Sequence, residues 1–410
     1  MHILFLTDNF PPEVNAPASR TFEHCCEWVK AEHQVTVITG VPNFPKGKAF
    51  EDYRNRIWQE ETIAGIRVIR VWTYISANEG FAKRTLDYLS YMVTGFLASL
   101  FVRRVDVVVG TSPQFFTVCA TYVASLFKRV PWVFELRDIW PESIRVVGAI
   151  KQSKVLDLLE RIELFLYLKA NAIVSVTHAF RTSLIQRGVN GDKIHVVTNG
   201  VDIDRYFPRE KDTSLVQQYC LQDKFVAGYI GTHGLAHALD TVLDAAKALK
   251  AAPDGERFRF ILLGDGANKA RLRQRAQDEG LNTVIFVDSV SKEQVVRFWS
   301  LLDVSIIHLK RDELFRSVIP SKLFECMGMA IPVLHGVQGE SAGIVEREGV
   351  GLLFEPENPS ALIEGLRRLA EDPELVARFK ANGLKGAKRY GRSALALRML
   401  DILDELVYLQ

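Results

Sequence analysis

The chain has 410 residues, 48% of them hydrophobic, and a formal net charge of +2. This length exceeds what one ordinary hydrophobic core contains, so we expect two domains. The near-neutral charge excludes a general nucleic-acid-binding surface, and no nucleic-acid partner is expected. The five cysteines are odd in number and form no CxxC pair, which indicates a reduced, cytosolic compartment.

Short segments rich in Val and Ile alternate with helical patterns through the first half of the chain. That alternation is typical of a parallel sheet with helices on both faces. The opening segment HILFLT is followed so soon by Pro11 that it is predicted to be a buried strand and not a signal peptide. Strands are predicted at residues 3–7, 34–39, 66–71, 105–110, 132–136, 172–176 and 194–197.

An apolar stretch at residues 86–102 is short and polar for a segment that would cross a bilayer. It is predicted to be a helix, and two interpretations of its environment remain open. It is either mostly buried in the core or faces a membrane surface, because Lys83, Arg84, Arg103 and Arg104 bracket it. The two interpretations can hold together in one helix.

The alternation pauses at the polar residues 205–224 and then begins again, which indicates two doubly wound domains joined near residue 205. The segment 375–410 is predicted to be helical, with breaks at Gly383, Gly386 and Gly391. In the second half, strands are predicted at residues 226–230, 259–263, 283–287, 304–307, 331–334 and 351–354.

Two segments of the second half have the residue types that a nucleoside diphosphate sugar requires. In YIGTHGLAHALD, Gly231 and Gly234 let the backbone approach a phosphate, and a helix start is expected to add N–H donors. In SVIPSKLFECMGMAIPVL, Pro320 suits the first helical position, and Ser321 and Glu325 share a helix face with Lys322 beside them. A hydroxyl, an ammonium and a carboxylate suit an anionic ligand that also carries a diol.

The second of these segments resembles the signature of the retaining glycosyltransferases of family 4, which have the GT-B fold. That signature has two glutamates separated by seven residues. Glu325 matches the second glutamate, whereas Ser317 stands where the first is expected. The segment TNGVDIDRYFP at residues 198–208 resembles the family's domain-joining motif, in which the Asp202-x-Asp204 pair is structural and no metal site is expected.

The resemblance implies an α/β architecture of two Rossmann-like, doubly wound domains that face a cleft. The N-terminal domain, residues 1–204, would bind the acceptor, and a C-terminal helix at about residues 390–410 would cross back onto it. The domain at residues 205–389 would bind the nucleotide sugar. No cofactor or metal ion is implied.

Several predicted donor-site residues follow from the same resemblance. Thr232 and His237 stand where the family has an arginine and a lysine, so Lys322 is predicted to be the replacement cation on the diphosphate, with Lys310 as a further helper. Glu325 would hold the ribose hydroxyls. The remaining predicted donor-binding residues are Gly231, His233, Gly234, Gly264, Val287, Arg316, Ser317 and Ser321.

The acceptor side is predicted from loops that follow strands of the first domain. Asn15, Ala16 and Pro17 occupy the loop after the first strand. Arg137 stands where many family members have a histidine, and with Asp138 it is predicted to be catalytic by binding sugar hydroxyls or the acceptor's phosphate. The alternative is that the two residues form only a structural ion pair. Trp140 and His178 are predicted to lie beside this pair and to contact the acceptor.

The combination of these motifs is similar to bacterial transferases of O-antigen, lipopolysaccharide or capsule assembly, particularly those that use UDP-N-acetyl-L-fucosamine. The resemblance implies a retaining, metal-independent hexosyltransferase whose acceptor is a polyprenyl-diphosphate-linked sugar. Such an enzyme is expected in the cytoplasm, in peripheral contact with the inner face of the cytoplasmic membrane. Two alternatives remain open: an enzyme like the UDP-N-acetylglucosamine 2-epimerases, and a nucleotide-binding protein with a decayed site.

Overall fold

Two sheets with separate hydrophobic cores divide the chain in the computed structural model, which describes residues 1–13, 15–43, 47–75, 81–139 and 154–408. The first unit comprises Met1–Thr198 with Arg392–Gln410, and the second comprises Asn199–Gly391. The predicted residue Trp140 lies outside the described residues, as do the side chains of Ala16 and Arg84. Two Rossmann-like domains are therefore confirmed.

The sheet of the first unit has eight strands in the order β3-β4-β2-β1-β5-β6-β7-β8, and all neighbours are parallel except β3 and β4. Its strands are β1 His2–Leu6, β2 Gln34–Thr39, β3 Trp58–Ile63, β4 Ile66–Val71, β5 Val107–Thr111, β6 Trp132–Leu136, β7 Ala172–Ser175 and β8 Ile194–Val196. Its helices are α1 Ala16–Lys30, α2 Phe81–Phe101, α3 Phe115–Lys128, α4 Lys154–Lys169, α5 His178–Gln186 and α14 Arg392–Tyr408.

Strand β3 is absent from the sequence-based prediction. It forms the edge of the sheet, where side chains alternate between exposed and half-buried positions, so its sequence WQEETI is largely polar. A two-residue turn joins it to β4, and both turn residues, Ala64 and Gly65, have positive φ angles of 51° and 81°. Such a turn matches the twist of a β-hairpin.

Helices cover both faces of this sheet. On one face, α2, α3, α4 and α5 share a core that includes Tyr91, Phe115 and Tyr167. On the other face, α1 packs against α14, and the Trp28 Nε1 atom donates to the Ala396 carbonyl oxygen at 2.9 Å. The predicted return of the C-terminal helix to the first domain is thus confirmed. No helix among the described residues is long and apolar enough to cross a bilayer.

The sheet of the second unit has six parallel strands in the order β11-β10-β9-β12-β13-β14. Its strands are β9 Phe225–Ile230, β10 Phe258–Leu263, β11 Val284–Val287, β12 Val304–His308, β13 Val333–Gly336 and β14 Gly351–Leu353. Its helices are α6 Thr213–Gln218, α7 Asp240–Lys250, α8 Lys269–Asp278, α9 Lys292–Trp299, α10 Lys322–Gly328, α11 Glu340–Glu348, α12 Pro359–Glu371 and α13 Pro373–Arg389.

The boundary between the units lies six residues before the predicted one, so the domain-joining motif belongs to the second unit. Val201 is fully buried in the second core, and its amide donates to the Tyr390 carbonyl oxygen at 2.9 Å. The Asp202 carboxylate accepts from the amides of Asp204 at 3.1 Å and Arg205 at 3.3 Å. This carboxylate shapes the turn, which is the structural role that the resemblance implies.

The predicted helix breaks at Gly383 and Gly386 are wrong, because α13 runs through both positions. A β-carbon at Gly383 would lie 3.3 Å from the Met327 carbonyl oxygen, and one at Gly386 would lie 3.2 Å from the Met327 sulfur. The two glycines therefore allow α13 to pack closely on α10. The helix ends at Arg389, and only the predicted break at Gly391 is observed.

Candidate functional site

Two glycine loops meet at the carboxyl end of the second sheet. After β9 the chain adds β10 and β11 on one side of it, and then β12, β13 and β14 on its other side. The topological switch point therefore lies between β9 and β12. Gly231 and Gly264 follow β9 and β10 with φ angles of 149° and 144°. A β-carbon at Gly264 would lie 1.8 Å from the Gly231 carbonyl oxygen, so no other residue fits there. The two backbones therefore lie side by side at the position where open α/β sheets bind ligands.

The ammonium group of Lys322 lies against these loops. A β-carbon at Gly231 would lie 2.8 Å from the Lys322 Nζ atom, and this atom is 3.7 Å from the centre of the Tyr229 ring. The Tyr229 hydroxyl donates to the Thr232 carbonyl oxygen at 2.8 Å, which orients the ring. Burial lowers the pKa of Lys322 to about 8, although Cys326 and Glu325 oppose that shift. No ion pair to Lys322 occurs within the described ranges.

Helix α10 places Lys322 and Glu325 together in its first turn. The helix begins at Lys322 with Ser321 at the N-cap, so the prediction that Pro320 opens the helix is wrong by two residues. Both Ser321 and Glu325 are half-buried, and the Glu325 amide contacts the Ser321 carbonyl oxygen at 3.4 Å. Helix α10 thus carries Lys322 and Glu325 in its first turn, directly after Ser321 at the N-cap.

The loop after β9 differs from the prediction, because α7 begins only at Asp240. Gly234 caps a single 3-10 turn, Leu235–His237, in place of the expected helix start. The backbone carbonyl of His237 accepts from His308 Nδ1 at 3.0 Å, and Lys310 donates its amide to the Ala236 carbonyl oxygen at 2.8 Å. These bonds join the loop after β9 to the end of β12, which sequence alone does not reveal.

Neither His233 nor His237, the two histidines predicted on the donor side, supplies a positive charge at neutral pH. Burial, with the nearby cations Lys269 and Lys322, lowers the pKa of His233 to about 4. Burial and Lys322 likewise lower the pKa of His237 to about 4. His233 is fully buried, and both of its ring nitrogens lack a hydrogen-bond partner within the described residues.

Lys269 was not predicted, although it lies only three residues after the Gly-x-Gly sequence. Its buried ammonium donates to the carbonyl oxygens of Gly264 at 2.7 Å and Val287 at 3.3 Å, and it also contacts the Asp288 carboxylate. The Gly264 amide donates to the same Val287 carbonyl at 3.1 Å. The structure thus places Val287 and Lys269 as supports of the glycine loop.

Arg316 and Ser317 lie in the 3-10 turn Glu313–Ser317, which follows β12. The exposed Arg316 guanidinium contacts the Glu313 carboxylate at 3.0 Å. A β-carbon at Gly339 would lie 2.1 Å from the Arg316 carbonyl oxygen, so the backbone after β13 also reaches this turn. Arg316 is therefore engaged by a neighbouring carboxylate, in contrast to Lys322.

At the carboxyl end of β6 in the first unit, a buried cluster surrounds Glu135. Its Oε1 atom lies 2.9 Å from the Nε atom of Arg20, and the two side chains are only 1% and 7% exposed. Arg20 also donates to the carbonyl oxygens of Val197 and Thr198, at 2.9 and 2.7 Å. Burial alone would raise the pKa of Glu135, but Arg20, Arg137 and His24 lower it to about 2.

Arg137 adjoins this cluster and donates from Nη1 to the Pro17 carbonyl oxygen at 3.2 Å. Burial lowers its pKa to about 10. The amides of Arg137 and Asp138 contact the Ser112 hydroxyl at 2.8 and 3.3 Å. Sequence reasoning missed Arg20 and Glu135, although a carboxylate inside the apolar strand WVFEL signals a buried partner.

Two other predicted acceptor residues begin helices. Asn15 caps α1, because its Oδ1 atom accepts from the Ala18 amide at 2.9 Å while its Nδ2 atom donates to Asn9 at 2.7 Å. His178 is the exposed first residue of α5. The structure therefore brings Asn15, Pro17 and Arg137 to one end of the first sheet.

Comparison with known proteins matches both units. Residues 15–200 match the family model for the glycosyl transferase 4-like domain, and residues 213–386 match that for glycosyl transferases group 1. The "Putative colanic acid biosynthesis glycosyl transferase WcaI" of Escherichia coli K12 is 25% identical over 381 residues, which cover 90% of this chain and 92% of that protein.

Two further relatives also span nearly the whole chain. The "GDP-mannose-dependent alpha-mannosyltransferase" of Mycobacterium tuberculosis is 23% identical and covers 99% of this chain and 95% of its own length. The structure of Anabaena Alr3699/HepE in complex with UDP superimposes with a TM-score of 0.71 at 18% identity, covering 99% of this chain and 100% of that one. The chain therefore consists of a glycosyl transferase 4-like domain and a glycosyl transferases group 1 domain in the GT-B fold, and it is a glycosyltransferase.

Proposed function

We propose that this glycosyltransferase transfers a sugar, with retention of anomeric configuration, from a UDP-sugar to a polyprenyl-diphosphate-linked saccharide. One observation carries the donor half of the proposal. The Lys322 ammonium has no ion pair in the described part of the chain, yet it is packed against the Gly231 backbone and the Tyr229 ring. A cation held without a counter-ion at the switch point of a parallel sheet is suited to a diphosphate.

The donor would bind along the carboxyl edge of the second sheet. Its diphosphate would contact Lys322 and the backbone of the Gly231 and Gly264 loops, which Lys269 holds from behind. Glu325, three residues after Lys322, would accept hydrogen bonds from the two ribose hydroxyls. His233 and His237 would be neutral, so the main positive charge on the diphosphate would come from Lys322.

In the proposed reaction, an acceptor hydroxyl oxygen bonds to the anomeric carbon on the face that the diphosphate leaves. The bond from the anomeric carbon to the diphosphate oxygen breaks, and its electron pair remains on that oxygen. The departing diphosphate oxygen takes the acceptor proton, so no side-chain base is required. Lys322 stabilises the negative charge that develops on the leaving group, which is the step that such a preorganised cation accelerates.

The proposed biological setting follows the relatives. WcaI is named for colanic acid biosynthesis, which supports a role in bacterial polysaccharide synthesis. We propose that this role is carried out in the cytoplasm, at the inner face of the membrane, where the polyprenyl-diphosphate acceptor would be. The HepE complex supports UDP as the nucleotide, whereas the mannosyltransferase name specifies GDP. We retain N-acetyl-L-fucosamine or a related amino sugar as the donor sugar, because Ser317 replaces a glutamate expected there and indicates a different grip on the sugar.

On the acceptor side, we propose that Arg137 contacts the acceptor diphosphate or its sugar hydroxyls. It lies just after the carboxyl end of β6, and it contacts Pro17 in the first turn of α1. Glu135 and Arg20 would position it from below. The acceptor would also contact Asp138, Asn15 and His178, which follow the ends of neighbouring strands of the first sheet.

A thermal-shift screen tests the donor first. UDP at about 100 times its dissociation constant adds about 2.7 kcal/mol, or roughly 5–10 °C for a unit of this size. GDP and ADP should give much smaller shifts, and a GDP-selective shift would overturn the proposed nucleotide.

The UDP-sugar is then incubated with a polyprenyl-diphosphate sugar, with and without EDTA. We expect transfer with retained configuration in both samples, and donor turnover without acceptor would instead indicate an epimerase.

A further inference from the structure

The outer surface of helices α2 and α3 is unusually apolar for a surface of a water-soluble unit. Eight large side chains there are between 36% and 73% exposed, with Val123 the least exposed and Phe101 the most. This apolar face is defined by Leu86, Val93, Leu97, Leu100, Phe101, Val123, Leu126 and Phe127.

The face is continuous across the two helices. On α2, the exposed residues Leu86, Val93, Leu97 and Leu100 are spaced by seven, four and three positions, which places them on one side of the helix. From Leu86 to Phe101 this stripe is about 22 Å long at the rise of an α-helix. The rings of Phe96 and Phe127 are 5.3 Å apart and join α2 to α3.

The opposite side of α2 is also apolar, because Tyr91, Ala98 and Val102 lie in the core of the first unit. The prediction of a helix that is buried in the core thus describes one side of α2, while its other side is exposed and apolar. A surface helix of a globular protein normally turns a polar face outward. A second apolar face is not needed to fold the unit, so it indicates a partner with an apolar interior.

A basic edge adjoins the apolar face. Arg103 and Arg104 follow α2, while Lys128 and Arg129 end α3. Both helices precede neighbouring parallel strands, so these ends lie at the same edge of the sheet. Arg103, Arg104 and Arg129 are exposed, and none has an ion pair within the described ranges.

An aromatic side chain adjoins the apolar face at Phe101. Trp58 at the start of β3 is 38% exposed, and its ring lies 6.1 Å from that of Phe101 in a T-shaped arrangement. Neighbouring Ile57 is 83% exposed. Tryptophan with an apolar body and a polar N–H suits the boundary between lipid tails and headgroups.

We propose that the apolar face and the basic edge together dock the first unit onto a bilayer that contains anionic phospholipids. The inference deepens the proposed function, on which it rests for its lipid-linked acceptor. Charge favours this occupant over a second copy of the chain. A second copy would present the same cations, and the nearby Asp106 carboxylate already accepts the His2 amide at 2.6 Å. Lipid phosphates would supply the missing negative charge while the tails receive the apolar side chains.

Vesicle flotation of the full chain tests the proposal, with phosphatidylcholine vesicles that either contain or lack 30% phosphatidylglycerol. The double variant Leu97→Ser/Leu126→Ser removes two half-exposed apolar contacts and should weaken binding about tenfold or more. The matched control is Leu397→Ser/Leu384→Ser, whose leucines are 43% and 38% exposed and lie outside the apolar face. The control should bind within twofold of the unmodified protein.

The charge component is tested with Arg103→Gln/Arg129→Gln, which should lose about tenfold in affinity for the anionic vesicles and little for the neutral ones. The proposal is overturned if Leu97→Ser/Leu126→Ser binds as tightly as the unmodified protein, or if the unmodified protein binds neither vesicle. It is also overturned if light scattering shows a dimer that this variant dissociates. The UDP-induced thermal shift is measured on every variant, because a lost shift concerns the donor proposal and not the docking face.

Discussion

Replacing Glu135 by glutamine should destabilise the first unit by about 3 kcal/mol at neutral pH. The carboxylate is 1% exposed and contacts Arg20, with Arg137 nearby. Lowering the pKa of a carboxyl from 4.5 to about 2 contributes about 3 kcal/mol of stability above the unfolded-state pKa. The glutamine keeps the shape of the side chain but removes the negative charge that contacts the buried Arg20 guanidinium, and breaking a buried pair in this way costs about 3–5 kcal/mol.

Urea unfolding followed by tryptophan emission measures this loss. Five of the six tryptophans precede residue 199, and only Trp299 belongs to the second unit, so emission reports mainly on the first unit. With a urea dependence of about 2 kcal/mol per molar, the midpoint should fall by about 1.5 M. The Glu60→Gln variant is the control, because the Glu60–Arg67 pair is 42% and 38% exposed and is expected to contribute less than about 1 kcal/mol.

The pH dependence supplies a second criterion. Because the folded-state pKa is lowered, the stability from Glu135 is complete above pH 4.5 and is lost as pH falls toward 2. The difference between the unmodified protein and Glu135→Gln should therefore narrow from about 3 kcal/mol at pH 5 to about 2 kcal/mol at pH 3.5. A difference below 1 kcal/mol at pH 7, or one that does not change between these pH values, would refute the reasoning.

The remaining predictions concern the second unit. Lys322→Met should weaken UDP binding in calorimetry by about 10- to 100-fold, since hydrogen bonds to charged groups contribute about 1.5–3 kcal/mol. Lys310→Met, in the loop that follows β12, should change the affinity less than threefold, and equal effects of the two variants would contradict the assignment of Lys322. Because burial lowers the pKa of Lys322 to about 8, UDP-sugar affinity should fall up to tenfold per pH unit above pH 8, and Lys322→Met should show a flat profile between pH 7 and 9. Gly264→Ala should lose about 1–3 kcal/mol of folding stability and most of its affinity for UDP, because the new β-carbon would lie 1.8 Å from the Gly231 carbonyl oxygen. Gly343→Ala is the control and should keep both properties, since the space around its new β-carbon is open. Unchanged UDP binding in Gly264→Ala would show that the two loops need not touch.

Much of the fold could be predicted because its pattern is local. Buried parallel strands are largely continuous apolar runs, so segments such as HILFL and FVAGYI can be recognised as strands from the sequence. The edge strand WQEETI has no such run, since only one of its sides contacts protein, and it was missed. The sequence predicts breaks at the glycines of α13, because their close contact with Met327 is made to a helix almost sixty residues away.

The donor site shows the same division. Gly231, Lys322 and Glu325 were predicted because their residue types and spacing carry the chemistry of phosphate and diol binding. Lys269 and Tyr229 were missed, since their roles are contacts with backbone carbonyls and with an ammonium that come from other loops. In the first unit, Arg20 contacts Glu135 across 115 residues of sequence, which no local pattern indicates.

The sequence alone indicates two doubly wound domains, and it points to the loops that we propose bind the donor. Only the tertiary structure decided which cation is available. Lys269 is engaged by carbonyl oxygens and Arg316 by Glu313, while Lys322 faces the glycine loops without an ion pair among the described residues. The structure likewise showed that α2 is apolar on both its buried and its exposed side. Periodicity reports which residues share a face of their own element, whereas burial and charge pairing depend on distant segments that the fold brings together.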